Sequence, residues 1–267
     1  MSTILDRILE TKRREVEALH DRVVREGPFP ERTDPFRSLA QALREARRLC
    51  VIAEIKRKSP SKGVFQASVD PAERAKVYEQ GGACAISVLT DETYFHGALE
   101  DLRAARSAVQ LPVLRKDFVI DEIQIDEAVS AGADLLLLIA AAMPEQRLVE
   151  LSRYARDRGL EVLLEVHGEE EVEAALAAEP TLIGINNRDL RTFEVDLATS
   201  ERVLRRLPEG TLAIAESGIM GRDDALRMAS AGARGILVGE LLMRHADLAS
   251  VRAQVADLCV PLEAVAK

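Results

Sequence analysis

The sequence predicts an α/β protein, a single (β/α)8 (TIM) barrel with an N-terminal helical extension, and three observations carry that expectation. Eight short apolar runs follow one another along the chain, each reading as a parallel strand buried on both faces. Amphipathic segments of helical period separate them, opened by Asp or Pro and closed by Gly. The link from helix back to strand also repeats, as "EQGGACAI", "VSAGADLL" and "ASAGARGI". A glycine there ends the helix in a left-handed turn, and small neighbours let the next strand begin at once. A doubly wound open sheet is the rival, but no G-x-G-x-x-G follows the first strand.

Residues 1–48 come first in the chain. "MSTILDRILETKRREVEALH" alternates charged with apolar residues, and a Pro-containing turn, "EGPFPERTDPF", leads to a second amphipathic segment. The stretch is too apolar for a free tail, so it is expected to pack on the barrel, across one mouth. The barrel is assigned to residues 49–267, extension and barrel making one domain overall. Its strands are expected at "CVIAEIK" (50–56), "CAISVLT" (84–90), "PVLRKD" (112–117) and "DLLLLIA" (134–140). The second half continues with "EVLLEV" (161–166), "LIGINN" (182–187), "LAIAES" (212–217) and "GILVGE" (235–240). "DPAERAKVYEQGG" (70–82) and "PEQRLVELSRYARDRG" (144–159) exemplify the helices between them.

Composition narrows the function. At 267 residues and 47% hydrophobic content there is material for one large core. A net charge of −9 argues against a nucleic-acid binder, and 3% aromatics without Trp argue against base stacking. No apolar run reaches bilayer length, and the N-terminus lacks the apolar centre of a signal peptide, so no membrane is expected. Cys50, Cys84 and Cys259, odd in number and far apart, suit a reducing compartment and hence the cytoplasm.

In a barrel of this kind the active site lies at the carboxyl ends of the strands. Polar residues interrupt the apolar runs there: Glu54 and Lys56, Lys116 and Asp117, Glu165, Asn186 and Asn187, Glu216 and Ser217. Each alone reads as a loop-edge residue reaching solvent; five strands together point to a shared polar site. Gly218 and Gly239 sit just past the last two strands, where barrels bind phosphate through backbone N–H groups. The bland alternative for either is a tight turn needing positive φ. Lys56 beside the eighth strand supplies a cation for such a phosphate. His20, His96, His167 and His245 lack metal-ligand spacing and read as structural or surface residues. The acidic run "GEEEVEAA" (168–175) suits the first turn of a helix, and the cysteines read as core.

Taken together, "AEIKRKSPSKG", "ISVLTDETYFHGALEDL", "PVLRKDFVIDEIQIDEAVSAGADLLLLI", "EVLLEVH", "IGINNRDLRTFEVDL", "AESGI" and "ILVGELLMR" resemble the indole-3-glycerol-phosphate synthase family of tryptophan biosynthesis. The resemblance implies closure of the pyrrole ring of 1-(2-carboxyphenylamino)-1-deoxyribulose 5-phosphate, with loss of carbon dioxide and water and no cofactor or metal. It makes Lys116 the proton donor to the ketone oxygen, Glu165 the base of the dehydration and Lys56 the second acid, the division between the lysines staying open. Glu54, Asn186 and Glu216 become the orienting shell, and Gly218 and Gly239, with Ser217 at their edge, the phosphate cradle. Ser59 and Arg188 meet the anthranilate carboxylate; Phe95, Phe118 and Leu190 wall in the ring. The loop from Arg57 to Gly63 closes over the substrate, with Arg57, Lys58 and Lys62 steering the anion inward. The implied partner is a phosphorylated small molecule, with no nucleic acid and no membrane, and the enzyme a monomer or weak homodimer.

One departure concerns Gly239-Glu240-Leu241, where many relatives carry a serine available to the phosphate; here the charge of Glu240 must point away. Two rivals stand beside this reading. A phosphoribosylanthranilate isomerase needs an Asp and Cys pair near strand ends, and Cys50 opens its strand at the wrong mouth. A catalytically inactive phosphosugar-binding barrel is the other, against which Lys56, Lys116 and Glu165 argue.

Overall fold

Every expected apolar run contains a strand of the computed structural model, which describes residues 3–60, 63–65, 69–245 and 247–262. The first four are β1 (Cys50–Ile55), β2 (Ala85–Leu89), β3 (Val113–Lys116) and β4 (Leu135–Ile139). The second four are β5 (Glu161–Val166), β6 (Leu182–Asn186), β7 (Ala213–Glu216) and β8 (Gly235–Val238). Neighbours in the chain pair in parallel, and β1 closes on β8 with Cys50 opposite Gly235 and Ala53 opposite Val238. A closed parallel barrel has no free edge, which is why near-continuous apolar strands are tolerated.

The connecting helices obey local capping chemistry. Asp70 accepts from the N–H groups of Ala72 and Glu73 at the start of the helix Pro71–Gln80, whose first residue is the proline. Gly132 and Gly232 close the helices Glu122–Ala131 and Arg222–Ala231 with φ of 89° and 105°, the left-handed turns that the repeated sequence link predicts.

Alternation along each strand divides the core in two. Val51, Ala53, Leu136 and Leu164 face the helices. Ile52, Leu114, Leu137, Leu163, Ile214 and Leu237 fill the barrel. The N-terminal extension closes both ends of that filling. Its second helix, α2 (Leu39–Glu45), seats Leu39, Ala40 and Leu43 against Cys50, Leu135 and Leu182 at the amino ends of the strands. Glu161, at the start of β5, accepts from the N–H groups of Leu39 (2.9 Å) and Ala40 (3.1 Å), a carboxylate held at a helix N-terminus. Cys50 lies at this lower end, as its place in the run predicts.

The first helix, α1 (Ile4–Glu26), lies at the opposite end, where Ile4, Leu5 and Ile8 line a cavity with the strand-end residues. Its buried Lys12 places Nζ 2.9 Å from Asp91 Oδ2, 2.9 Å from Asp117 Oδ1 and 2.7 Å from Glu15 Oε2. Between the helices, Arg32 is tied to the buried Asp134 at 2.7 Å, pinning the proline-containing turn to the lower barrel.

Of the residues expected at the shared polar mouth, Asp117 lines its edge and only Asn187 lies outside it. Asp117 lines the cavity beside Lys116, with its oxygens held by Lys12, by Thr90 Oγ1 (2.6 Å) and by Arg115. Asn187 follows the inward Asn186 and donates to the carbonyls of Glu216 (2.9 Å) and Ser217 (3.2 Å), while its Oδ1 accepts from Ser200. Burial alone raises the Asp117 carboxyl, but Lys12 and Arg115 outweigh it and hold the group well below the usual range.

Replacing Lys12 by Met leaves the buried Asp91 without its cation and Asp117 with Arg115 alone, so Lys12→Met is expected to cost about 3–5 kcal/mol in urea unfolding. The contribution of Asp117 is present above the unfolded pKa of about 3.9 and is lost as pH falls below it. The gap between wild type and Lys12→Met should accordingly narrow in acid.

Candidate active site

The strand register brings one charged rung to the upper mouth. Asn186 stands opposite Glu216, Leu89 opposite Lys116, and Ile139 opposite Glu165. Glu54, Lys116, Glu165, Asn186 and Glu216 point into one cavity, and Lys56, just beyond β1, joins them. Ser59, Phe95, Phe118, Arg188, Leu190, Ser217, Gly218 and Gly239 line the same cavity, so the residues to which the resemblance gives catalysis, substrate or phosphate all border it.

At its centre Lys116 Nζ donates to Glu165 Oε2 (2.7 Å) and Glu216 Oε2 (2.6 Å). Burial works against the ammonium, but Glu165, Glu216 and Glu54 outweigh it and raise the pKa of Lys116 above the ordinary lysine value. The two carboxylates separate. Burial also works against Glu165, yet Lys116 and His167 hold it well below the usual range. Glu216, for which burial is the larger effect and Glu165 a like-charged neighbour, is pushed up to about 7. Environments that drive two carboxyl groups apart in this way are typical of acid–base sites. Asn186 Nδ2 donates to Glu165 Oε1 (3.0 Å), and Asn186 Oδ1 accepts from the Arg188 N–H (3.0 Å). Lys56 Nζ donates to Glu54 Oε1 (2.6 Å).

Glycines make room for these carboxylates. A Cβ on Gly184, in the middle of β6, would stand 2.2 Å from Glu216 Oε1, and one on Gly239 would stand 2.2 Å from Glu54 Oε1. Gly239 has φ −120°, so close approach and not a positive-φ turn is what requires glycine there. Gly218 does need it: Ser217 and Gly218 are consecutive left-handed residues, with φ of 63° and 83°.

The aromatic wall is set from behind. Asp91 accepts from the N–H groups of Tyr94 (2.7 Å) and Phe95 (3.2 Å), and Asp117 Oδ1 accepts from that of Phe118 (2.8 Å). Both carboxylates belong to Lys12, so α1 fixes the two phenyl rings, whose centroids are 6.1 Å apart.

Several sequence expectations need revision. Arg57 is not a free steering charge: Nη2 donates to Asp101 Oδ1 (2.9 Å) and to the carbonyl of Val69 (3.2 Å), anchoring the base of the loop. Lys58 lies 3.3 Å from His96 Nε2, Gly63 has φ 75° in open space, and Lys62 falls outside the described residues. Arg188 donates to the Phe193 carbonyl (3.2 Å) and lies 3.6 Å from Glu240 Oε2. Glu240 lines the cavity instead of leaving it, its charge met by Arg188 and by Arg244 at 2.6 Å. Sequence reasoning missed Lys12, Gly184 and His167. Of these, only Gly184 carried a sequence signal, a glycine inside a strand, which marks a close approach. Among the described residues no cluster of three or more His, Cys, Asp or Glu is arranged to hold a metal ion.

The family model described as indole-3-glycerol phosphate synthase matches residues 5–255. An indole-3-glycerol phosphate synthase of Oceanobacillus iheyensis is 49% identical over 247 residues, covering 92% of this chain and 94% of its own. Those of Bacillus cereus (strain ATCC 10987 / NRS 248) and Bacillus thuringiensis subsp. konkukian are 47% and 48% identical, each covering 93% of this chain and 96% of its own. Among solved structures, thiamine phosphate pyrophosphorylase from Pyrococcus furiosus superposes with a TM-score of 0.61 at 18% identity, covering 86% of this chain and 100% of its own. A 3-hexulose-6-phosphate synthase does so with 0.63 at 16%, covering 79% and 100%. At those identities the likeness is one of fold.

Gly184→Ala pushes Glu216 off its seat beneath Lys116. Since a misplacement of about 1 Å can cost about 100-fold, turnover should fall by about that factor with the far-UV circular dichroism unchanged.

Proposed function

Because the chain belongs to the indole-3-glycerol phosphate synthase family, we propose that its strand-end lysines and carboxylates divide the steps of that family's reaction among them. The protein is a carboxy-lyase of tryptophan biosynthesis. It closes the pyrrole ring of 1-(2-carboxyphenylamino)-1-deoxyribulose 5-phosphate to indole-3-glycerol phosphate, releasing carbon dioxide and water.

The observation that carries the division of roles is Lys116 held between Glu165 and Glu216 in the shared cavity. The ring carbon bearing the carboxylate attacks the ketone carbon, and the ketone oxygen gains negative charge. Lys116 donates the proton that neutralises it, a general acid matched to a developing alkoxide. Its carboxylate partners keep the ammonium charged until that oxygen competes for the proton. The bond to the carboxyl group then breaks, its electrons restoring the aromatic ring as carbon dioxide departs.

Dehydration follows. Glu165, held ionised by its neighbours, takes a proton from the carbon next to nitrogen while the hydroxyl leaves as water with a proton from Lys56. The 2.7 Å contact between Glu165 and Lys116 supports return of the captured proton to the first acid. Glu54 orients Lys56; Asn186 and Glu216 orient Glu165 and Lys116. Gly218 and Gly239, with Lys56 and the edge of Ser217, receive the phosphate through close backbone approach. Phe95, Phe118 and Leu190 enclose the anthranilate ring. Ser59 and Arg188 meet its carboxylate loosely, since a grip on a group that departs as neutral carbon dioxide is lost in the transition state. The proposal takes residues 1–48 and 49–267 as one domain, acting without a cofactor in the cytoplasm as a monomer or weak homodimer; three unpaired cysteines suit a reducing compartment.

Indole fluorescence on addition of the carboxyphenylamino-deoxyribulose phosphate tests the reading. Wild type should form product, and Lys116→Ala should lose about 100- to 10,000-fold in kcat. Substrate binding without product in wild type would instead mean an inactive phosphosugar-binding barrel. Glu216 protonates as pH falls through about 7, removing a counter-charge from Lys116, so kcat/KM should decline below that pH. Glu216→Gln should abolish this limb.

A further inference from the structure

His167 stands one residue past β5, with 12% of its side chain exposed, and the reaction as derived makes no use of it. Its Nε2 lies 3.1 Å from Glu165 Oε1, the oxygen that also accepts from Asn186. Its Nδ1 lies 3.5 Å from Glu171 Oε2, and the same carboxylate oxygen accepts the His167 backbone N–H at 2.8 Å. Both ring contacts are close charge contacts and not aligned hydrogen bonds. Glu171 thus reaches back from the turn Glu169–Glu171 to hold ring and backbone together. The two oxygens of Glu165 are divided in consequence: Oε2 faces Lys116, and Oε1 faces Asn186 and His167.

This explains an asymmetry. Glu165 and Glu216 share one ammonium, and two buried carboxylates with a single cation tend to share a proton. The imidazole stands on the side of Glu165. Burial opposes its charge, but Glu165 and Glu171 outweigh burial and push it up to about 10. The other charged groups around its cleft are Asp6 of α1, Glu170 of its own turn, Asp189, Arg191, Glu194 and Asp196 of the loop after β6, and Arg202 of the helix Ala198–Leu204.

We propose that His167 is a positioning residue of the ring closure: clamped by Glu171, it fixes the Glu165 carboxylate and places a second positive charge beside it, so that Glu165 and not Glu216 is the ionised base. The inference rests on Glu165 being that base.

Steady-state kinetics against pH, with thermal unfolding in parallel, test it on His167→Ala, His167→Gln, Glu171→Gln and Glu165→Gln. His167→Ala should lower kcat about 10- to 100-fold with KM little changed. It should also move the acid limb of the profile upward, because Glu165 and Glu216 take up their first proton as a pair and loss of the imidazolium removes a cation from that pair. His167→Gln keeps a donor without the charge, so part of kcat should return while the limb stays displaced. If His167→Ala fails to fold, Glu171→Gln leaves the ring in place but unclamped, and should still lower kcat at constant KM. An unmoved acid limb in both His167 variants overturns the proposal, whether or not kcat falls. So does a Glu171→Gln enzyme with wild-type kcat. Normal turnover by Glu165→Gln means that the assignment of the base has failed; an inactive Glu165→Gln beside an unaffected His167→Ala means that only this inference has.

Discussion

A lysine ammonium held between two buried carboxylates is the constraint around which the upper barrel is organised. Below Lys116, Glu165 and Glu216 the barrel is filled by apolar side chains such as Leu114, Leu163 and Ile214, so their charges have little water to turn to. Removing such groups from water costs several kcal/mol each unless geometry and partners offset it. The surroundings follow from that requirement: Asn186 and His167 on one carboxylate, the bare backbone of Gly184 beneath the other, and Glu54 adding to the field on Lys116. The splitting of the carboxyl pKa values, which acid–base chemistry needs, is a product of this crowding.

The same physics operates behind the wall. Lys12 draws Asp91 and Asp117 together, and Asp91 Oδ1 and Asp117 Oδ1, the latter shared with Lys12, order the backbone that presents Phe95 and Phe118. The helix before the barrel is thereby part of the site, supplying apolar lining from Ile4, Leu5 and Ile8 and rigidity through one buried cation. A buried charge network of this kind favours a single arrangement, at the cost of high sensitivity to loss of any member.

Fold and chemistry separate cleanly here. Barrels at 14–18% identity superpose well, so their architecture says nothing about which bond is made or broken. What places this chain in its family is identity over most of its length, and the charged rung occupies the layer that strand alternation leaves facing the mouth.

How much could be read beforehand follows from whether a residue's role is local. The eight strands, the glycine-closed helices and the polar strand ends were legible because period, capping and alternation act over a few neighbouring residues. The strand-end rule was enough to pick out Glu54, Lys56, Lys116, Glu165, Asn186 and Glu216, whereas Ser59, Phe95, Phe118, Arg188 and Leu190 entered through the family resemblance alone. Asn187 was misjudged because a strand end alone does not say which neighbour turns inward. Arg57 was taken for a free charge because Asp101, its partner, is remote in sequence. Lys12 reads as one more helix cation until it is seen 2.9 Å from carboxylates at positions 91 and 117, and His167 reads as surface until Glu165 and Glu171 are found on either side of it. The sequence by itself determined the barrel and the chemistry at its mouth; tertiary structure alone decided which charges meet, because charge pairing depends on distance in space and on exclusion of water, and neither is written in the order of the residues.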